Sequence, residues 1–406
     1  MNHERVASDV VIVGAGAAGL SLAHAITAPG AARPPTVTLV ETPLRSLRPA
    51  RRTWCYWQEG TGDFDDAVVA SWRRLRVRGR DGEVTDGELR ALRYRMLRSD
   101  TFEALVRSRL AALPQVRLVE ATAETVRDVP GGAEALCTGA DGGRLTLAGR
   151  HLFDSRPVRS LPPARSTLLQ HFRGWFVRTS ADAFEEEVVE LMDFRVPQPS
   201  HGLAFGYVLP LGPREALVEY TQFSRAPLTR QAYEAALDHY THRVLRLGPF
   251  EVTAAETGVI PMTDARFPRA AGAAVHRIGA AGGATRPATG YTFSAVQRQS
   301  GAIAAALRAG RNPGPPAPHA RRALAMDAVM LRALDTGRVD GPDFFTRLFR
   351  RTPAERVLRF LDGRTRLWED VLIGFSTPVA PMIRTAAELP FLPRRTSPAT
   401  HEESTR

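Results

Sequence analysis

Three glycines, at positions 14, 16 and 19, are the residues whose type and spacing carry the plainest chemistry in this chain. They follow the apolar run Asp9-Val-Val-Ile-Val13 and open into an alanine-rich stretch, Leu20 to Ile26, that reads as a helix. A Gly-x-Gly-x-x-Gly at a strand-to-helix junction suits a dinucleotide pyrophosphate. Gly14 permits the tight turn, Gly16 lets backbone approach the phosphates, and Gly19 lets helix pack on strand. The helix N-terminus adds free N–H groups and the positive end of its dipole. Thr36-Val-Thr-Leu-Val40 reads as the next parallel strand. Glu41 at its C-terminal end is placed to accept hydrogen bonds from the hydroxyls of an adenosine ribose. This spacing alone does not separate FAD from NAD.

A second glycine-rich segment makes that separation. Val275-His-Arg-Ile278 reads as a strand returning to the first unit, and Gly279-Ala-Ala-Gly-Gly-Ala-Thr-Arg-Pro-Ala-Thr-Gly290 leads into a helix from Tyr291 to Ala309. A loop feeding a helix in this way presents N–H donors to the polar edge of an isoalloxazine, so FAD is preferred. His171 and His276 lack metal-ligand spacing, and no metal is expected.

The elements that must position these groups are read from pattern. Arg45 to Gly62 reads as irregular, with an aromatic cluster at Trp54-Cys-Tyr56-Trp57, and Arg76 to Arg90 as a hairpin or meander around Asp-Gly turns. Ser99 to Leu110 has helical spacing with Ser99 as N-cap. Between Leu168 and Phe223 strand patterns dominate: Gln170–Val177, Val188–Phe194, Leu203–Leu211 and Glu215–Thr221. Residues 230–246 look helical, Asn312–His319 is a proline-rich linker, and the chain beyond it is largely helical. The expected class is α/β: a Rossmann-type FAD-binding domain, of the glutathione-reductase or p-hydroxybenzoate-hydroxylase kind, with an inserted β-sheet substrate domain and a helical C-terminal region. The expected boundaries are 1–165 and 271–312 for the FAD-binding parts, 166–270 for the sheet, 313–393 for the helices and 394–406 for a disordered tail.

Bulk properties narrow the class. A chain of 406 residues, 44% hydrophobic and 24% charged, is globular, and no apolar run is long enough to span a bilayer. No signal-peptide pattern opens the chain, so a cytoplasmic location is expected. Two isolated cysteines, Cys55 and Cys137, suit free thiols in a reducing compartment. The net charge of +11 comes from arginine without any lysine, which fits a GC-rich coding sequence or attraction to anionic lipid headgroups. The arginines are scattered, and no nucleic-acid partner is expected.

Taken in order, Asp154-Ser-Arg156, Phe205-Gly-Tyr-Val-Leu-Pro210, Leu217-Val-Glu219-Tyr-Thr221, Gly258-Val-Ile-Pro261 and Ile278-Gly-Ala-Ala-Gly-Gly-Ala-Thr-Arg-Pro-Ala-Thr-Gly-Tyr291 resemble the lycopene cyclase family of the bacterial β-cyclase type. Thr53-Trp-Cys-Tyr-Trp57 and Arg359-Phe-Leu-Asp362 fit the same pattern, and the likeness runs from about Val10 to about Pro381. It implies an FAD-dependent isomerase that converts lycopene through γ-carotene to β-carotene without net redox change. The resemblance further implies a flavin that works reduced, with NAD(P)H as electron donor. It also implies cofactor contacts at Gly14, Gly16, Gly19, Glu41 and Arg98, and at Gly279, Gly282, Gly283, Gly290 and Tyr291 beside the flavin ring. Glu219 matches the glutamate of a motif usually written as two acidic residues before a threonine. Tyr220 stands at the second acidic position, and Asp193, in Leu191-Met-Asp-Phe194, is the candidate to supply the other carboxylate.

The implied chemistry is proton addition to a terminal alkene, ring closure through a carbocation, and proton loss. Such a site needs an acid, a negative charge near the cation, and exclusion of water. A carboxyl group in an apolar site stays protonated near neutral pH, so Glu219 suits the acid, or the base for the last proton. Strand alternation from Leu217 places Glu219 with Leu217 and Thr221, and Val218 with Tyr220 on the other face. Trp175, Phe176, Phe205, Tyr207, Tyr291 and Phe293 are candidates to steady the cation, or ordinary core. Lycopene resides in bilayers, which implies peripheral membrane attachment. Leu367–Phe375 and Leu389–Leu392 are candidates for lipid contact, or a packed helix and its tail. Two other readings share the same loops: a flavin monooxygenase or prenyl reductase, which would consume NAD(P)H in step with product, and a flavoprotein that only carries carotenoids. Left open are oligomeric state, mono- versus bicyclic product, ring type beyond the β form, the identity of the electron donor, and whether Glu219 or the flavin delivers the proton.

Overall fold

The computed structural model describes residues 3–30 and 34–396. Its first sheet is built around the Asp9–Val13 run. The strand His3–Val13 lies between the parallel strands Val37–Glu41 and Arg144–Asp154. Val116–Val129 adds beyond the former and Val275–Arg277 beyond the latter, both parallel. Val10 and Ile12 pack on one face with Leu20, Leu22 and Ile26 of the helix Ala17–Thr27 and with Phe102 and Ile303 from two further helices. Val11 and Val13 pack on the other face with Ala133, Ala135 and Cys137. Burial on both faces is why the strand is continuously apolar. The strand Gly132–Gly139 runs antiparallel to both Val116–Val129 and Arg144–Asp154, and so covers the second face.

The second sheet has seven strands, in the spatial order Phe250–Thr263, Thr167–Thr179, Glu215–Ser224, Leu203–Pro210, Val188–Asp193, Arg74–Arg78, Val84–Glu88. Its two faces have different partners. Leu168, Phe176, Phe205, Leu217, Phe223 and Met262 face a core shared with Trp57, Tyr94 and the C-terminal helices. Val177, Ala204, Val208, Val218 and Tyr220 face the helix Arg230–His239 and the wider turn Tyr240–Val244, which contribute Tyr233, Leu237 and Tyr240. A small sheet, Thr53–Glu59, Leu92–Arg98 and Val68–Trp72, joins the two larger cores. Trp57, Tyr94 and Met96 belong to one, Tyr56 and Leu97 to the other. Five helices between Arg321 and Glu388 close the first of these faces of the second sheet.

Several expectations change. The aromatic segment read as irregular is the regular strand Thr53–Glu59, held by seven residue pairs to Leu92–Arg98. The hairpin near residues 76–90 joins the second sheet, through a parallel pairing of Arg74–Arg78 with Val188–Asp193. Ser99 is the first helical residue, and its hydroxyl accepts from the Arg52 N–H instead of capping the helix. The long edge strand Phe250–Thr263 extends well beyond the Gly258–Pro261 segment singled out in the sequence. Of the segment expected to be a disordered tail, Arg394 pairs with Asp264 at 3.2 Å and Arg395 forms a backbone bridge with Ala164. Residues 397–406 lie outside the described residues.

Candidate functional site

The first glycine turn is built for close approach. Gly14 has φ +95°, and a Cβ there would lie 2.3 Å from the Ser155 hydroxyl oxygen. A Cβ on Gly19 would lie 1.8 Å from the Gly14 carbonyl oxygen, so only glycine lets this helix sit against its strand. At Gly16 a Cβ would meet nothing within 4 Å: the helix end is open space. No side chain caps that end, and no acidic residue occupies its first turn. An uncapped, open, positive helix terminus beside a tight turn fits the diphosphate of a dinucleotide. Ser155 ties to the Val13 carbonyl at 2.8 Å, and the Asp154–Arg156 pair, 2.8 Å, anchors the loop behind it. The Glu41 carboxylate stands at its strand end between Arg107 and Arg48.

The second glycine segment abuts the first. A Cβ on Gly279, at φ +62°, would lie 2.7 Å from Ala18 Cβ. Gly282 is crowded by the Arg277 carbonyl, Gly283 turns at φ +79°, and Gly290, at φ +73°, presses against the Gln170 side chain of the second sheet. Arg286 within this loop is fully buried and pairs with Asp327 at 2.8 Å, which locks the loop to the helix Arg321–Asp335. The second glycine segment therefore touches the first at Gly279 and the second sheet at Gly290.

Glu219 stands near Tyr291, which follows that segment, close enough for its charge to push the Tyr291 hydroxyl up. It is 7% exposed, and its strand neighbours Leu217 and Thr221 share its face. Thr221 donates a hydrogen bond to Glu219 Oε1. Burial, and then the charge of Glu256, push the Glu219 carboxyl up to about 8. Around it the Tyr94 hydroxyl contacts those of Tyr207 (2.8 Å) and Tyr291 (3.0 Å), and Tyr207 donates to Cys55 Sγ at 3.2 Å. Burial raises all four, Cys55 to about 12, so they stay neutral. Arg98 lies with its guanidinium carbon 4.6 Å from the Phe176 ring centroid.

Not every candidate comes together. Asp193 is fully buried, but its carboxylate takes bonds from Arg195 (2.6 Å) and Tyr240 (3.0 Å) on the opposite side of the sheet. It pairs across with Gly206, whose missing side chain is filled by the Tyr240 ring, so strand parity turns it away from Glu219. Tyr220 also points to that side, as alternation requires. Among the aromatic candidates, Phe176, Phe205, Tyr207 and Tyr291 border the core on the Glu219 face, Trp175 lies opposite, and Phe293 packs beside Tyr56 in the nucleotide unit.

One carboxylate was missed. Glu256 on the edge strand pairs in register with Gly174, as Glu219 does from the other side. Its Oε2 accepts from the Thr53 hydroxyl at 2.9 Å. Burial pushes its carboxyl up, while the Thr53 bond and the charge of Arg98 pull it down. Its position two residues before Gly258-Val-Ile-Pro261 was the available signal.

The sequence profile of the family described as lycopene cyclase protein matches residues 9–387. No curated protein matches the chain. Among solved structures, a geranylgeranyl bacteriochlorophyll reductase-like protein from Thermoplasma acidophilum is 13% identical, with TM-score 0.58, covering 95% of this chain and 97% of its own. The p-nitrophenol 4-monooxygenase of Pseudomonas putida is 15% identical, TM-score 0.59, covering 97% and 100%. A flavoprotein/dehydrogenase from Cytophaga hutchinsonii is 11% identical, TM-score 0.60, covering 95% and 100%. At these identities the likeness is one of fold: a Rossmann-type FAD-binding architecture with an inserted sheet and C-terminal helices.

Proposed function

The chain belongs to the lycopene cyclase family, and from that premise we propose that it is a lycopene β-cyclase, closing β-ionone rings at the ends of lycopene by acid catalysis. The observation that carries this reading is Glu219, a carboxyl group driven to about 8 by burial in an apolar wall beside the glycine loops. At neutral pH such a group is an acid with a proton to give. The substrate is a hydrocarbon, so it is bound by apolar burial, at roughly 25 cal/mol per Å², and not by hydrogen bonds.

Glu219 donates its proton to the terminal alkene of a bound chain, the neighbouring double bond closes on the resulting cation, and a ring proton is lost. The phenyl and phenol faces of Phe176, Phe205 and Tyr207 line the same core and are suited to a passing cation. Gly14, Gly16 and Gly19 would hold the diphosphate of FAD, with Glu41 toward the ribose and Gly279–Tyr291 at the ring. The tight turn, the open helix end and the contact between the two loops support this assignment. When bound, reduced FAD, kept reduced by NAD(P)H, would supply negative charge close to the cation.

Peripheral attachment to a membrane belongs to the same proposal. No helix among the described residues is long and apolar enough to cross a bilayer. The helices Leu367–Phe375 and Val379–Glu388 and the turn after them nevertheless expose Leu367 (67%), Trp368 (52%), Phe375 (67%), Ile383 (64%) and Phe391 (86%). Arg364, Arg366 and Arg384 are exposed beside them, a pairing of apolar and basic groups that suits an anionic lipid surface.

The test is expression in lycopene-accumulating bacteria, with chromatography of the extracted pigment. Ring-closed product of unchanged mass is expected, formed without oxygen once the flavin is reduced. Unchanged lycopene in cells that contain the flavin-loaded protein refutes the reading, and stoichiometric NAD(P)H consumption would favour a reductase or monooxygenase.

A further inference from the structure

We propose that Glu256 is the partner of Glu219 in ring closure: the anion that faces the cation and accepts the proton the new ring gives up. This rests on the cyclase reading of the site.

The geometry comes from sheet register. The strand Thr167–Thr179 lies between the Glu219 and Glu256 strands, and its Gly174 is the direct neighbour of both glutamates. Directly opposed residues in an antiparallel pair share a face, so both carboxylates rise on the same side, two strand widths or roughly 10 Å apart at the backbone. The residue between them is glycine. A Cβ at Gly174 would lie 2.8 Å from Leu217 Cδ1 and 3.5 Å from Glu219 Cβ, so even alanine would crowd the gap. Two acids flank a bare stretch of backbone, on a face that also carries Phe172, Phe176, Leu217 and Thr221.

The two glutamates are dressed for different roles. Glu219 has one hydroxyl donor, Thr221, and no cation is close enough to lower it. Burial raises Glu256 as well, but it has the Thr53 hydroxyl and the Arg98 guanidinium, both of which favour its charged form, where Glu219 has only Thr221. The other titratable groups facing the pair are Cys55, Tyr207, Tyr94 and Tyr291, all kept neutral by burial. Like charges this close do not coexist cheaply, so one proton resides on the pair, and Glu219 holds it.

The proton count closes. Glu219 gives a proton to the terminal alkene carbon and becomes a carboxylate. The neighbouring double bond forms the ring bond and moves the cation into the ring. The C–H bond next to the cation breaks, its electron pair makes the ring double bond, and its proton goes to Glu256. Release of that proton from Glu256 to solvent, and uptake of one by Glu219 as product leaves, restores the starting state, and nothing is oxidised or reduced. The Tyr220 departure from the family motif then costs nothing, because position 220 lies under the helix Arg230–His239 and never faces this gap.

The test is turnover of vesicle-borne lycopene by flavin-loaded protein under reducing conditions across a pH series. Wild type should give a bell-shaped profile, its upper limb from Glu219 and its lower limb from Glu256. Glu256→Gln keeps size and the Thr53 bond but not the charge. It should lose ~100-fold or more in turnover, lack the lower limb, and retain its flavin. Glu256→Asp should recover part of the rate together with the lower limb. Turnover within a few-fold of wild type in Glu256→Gln, or a lower limb that persists there, overturns the proposal while leaving the cyclase reading intact. Should Glu256→Gln not fold, a wild-type profile without a lower limb, or an unchanged profile in Glu256→Asp, overturns it. A wild-type protein that closes no ring overturns both.

Discussion

Replacing Glu219 by glutamine should abolish ring closure and, at alkaline pH, make the protein more stable. The carboxyl has an ordinary value of 4.5 and is pushed up to about 8 in the folded chain. Between those two pH values the folded protein holds a proton that the unfolded chain has released. The stability tied to Glu219 is therefore complete below pH 4.5 and drains away as pH rises toward 8, at about 1.4 kcal/mol per pH unit. Above pH 8 the wild type has lost about 5 kcal/mol, since it must either ionise Glu219 in an apolar wall or open the wall to water. Glutamine has the same shape, keeps an oxygen to accept from Thr221, and never ionises. The variant escapes the whole loss.

For a chain of 406 residues, an unfolding entropy of roughly 2.1 cal/mol/K per residue turns 5 kcal/mol into a shift of about 6 °C. Thermal unfolding of both flavin-loaded proteins by circular dichroism, at pH 5 and at pH 9, is the assay. The curves should nearly coincide at pH 5 and separate at pH 9, with Glu219→Gln the more stable. A difference in Tm that is the same at both pH values refutes the claim that Glu219 is buried in its protonated form. A gain in stability on removing a functional group is what a site strained for chemistry should show.

Gly14→Ala places a Cβ at φ +95° and 2.3 Å from the Ser155 oxygen, so it should cost about 1–3 kcal/mol and strip the flavin; a full flavin absorbance after gel filtration would contradict this. Tyr220→Asp, which restores the family's second acidic position, should not raise turnover per folded molecule. It should lower Tm, because the new carboxylate is buried beneath Tyr233; a faster enzyme would show that position 220 reaches the site. Phe375→Ser combined with Ile383→Ser removes two side chains that are 67% and 64% exposed. Co-sedimentation with anionic vesicles should fall about tenfold or more, with melting temperature and turnover in detergent unchanged, and undiminished binding would place the lipid contact elsewhere.

What the sequence revealed of this protein divides along physical lines. Its nucleotide unit was legible because backbone requirements leave marks: Gly14 and Gly279 must turn at positive φ, and Val10–Val13 must be apolar on both faces. The faces of the Glu219 strand were legible because alternation has a fixed period. The second carboxylate was not. Asp193 resembled one by type, but nothing local says that its strand reaches the sheet with the opposite parity, where Tyr240 and Arg195 take it. Glu256 was passed over because Phe250–Thr263 is an edge strand, exposed along much of its length and built from small residues that give no apolar alternation. Register with Gly174 is a long-range fact, set by sheet assembly. The strand Thr53–Glu59 was misread because aromatic side chains serving two different cores break the simple two-residue pattern.

The tyrosine cluster shows how these separately folded pieces become one site. Tyr291 ends the second glycine loop, Tyr94 belongs to the small bridging sheet, and Tyr207 stands beside Glu219 in the next strand. Hydroxyl contacts of 3.0 and 2.8 Å join the three in series. Each contact fixes the position of one unit against another, and none brings a charge, because burial holds every phenol neutral. A joint made from lysines and carboxylates would position the loop equally well, but its field would compete with that of the reacting groups in a low-dielectric interior. With phenols at the joint, the charge beside it is left, among the described residues, to Glu219, Glu256 and Arg98.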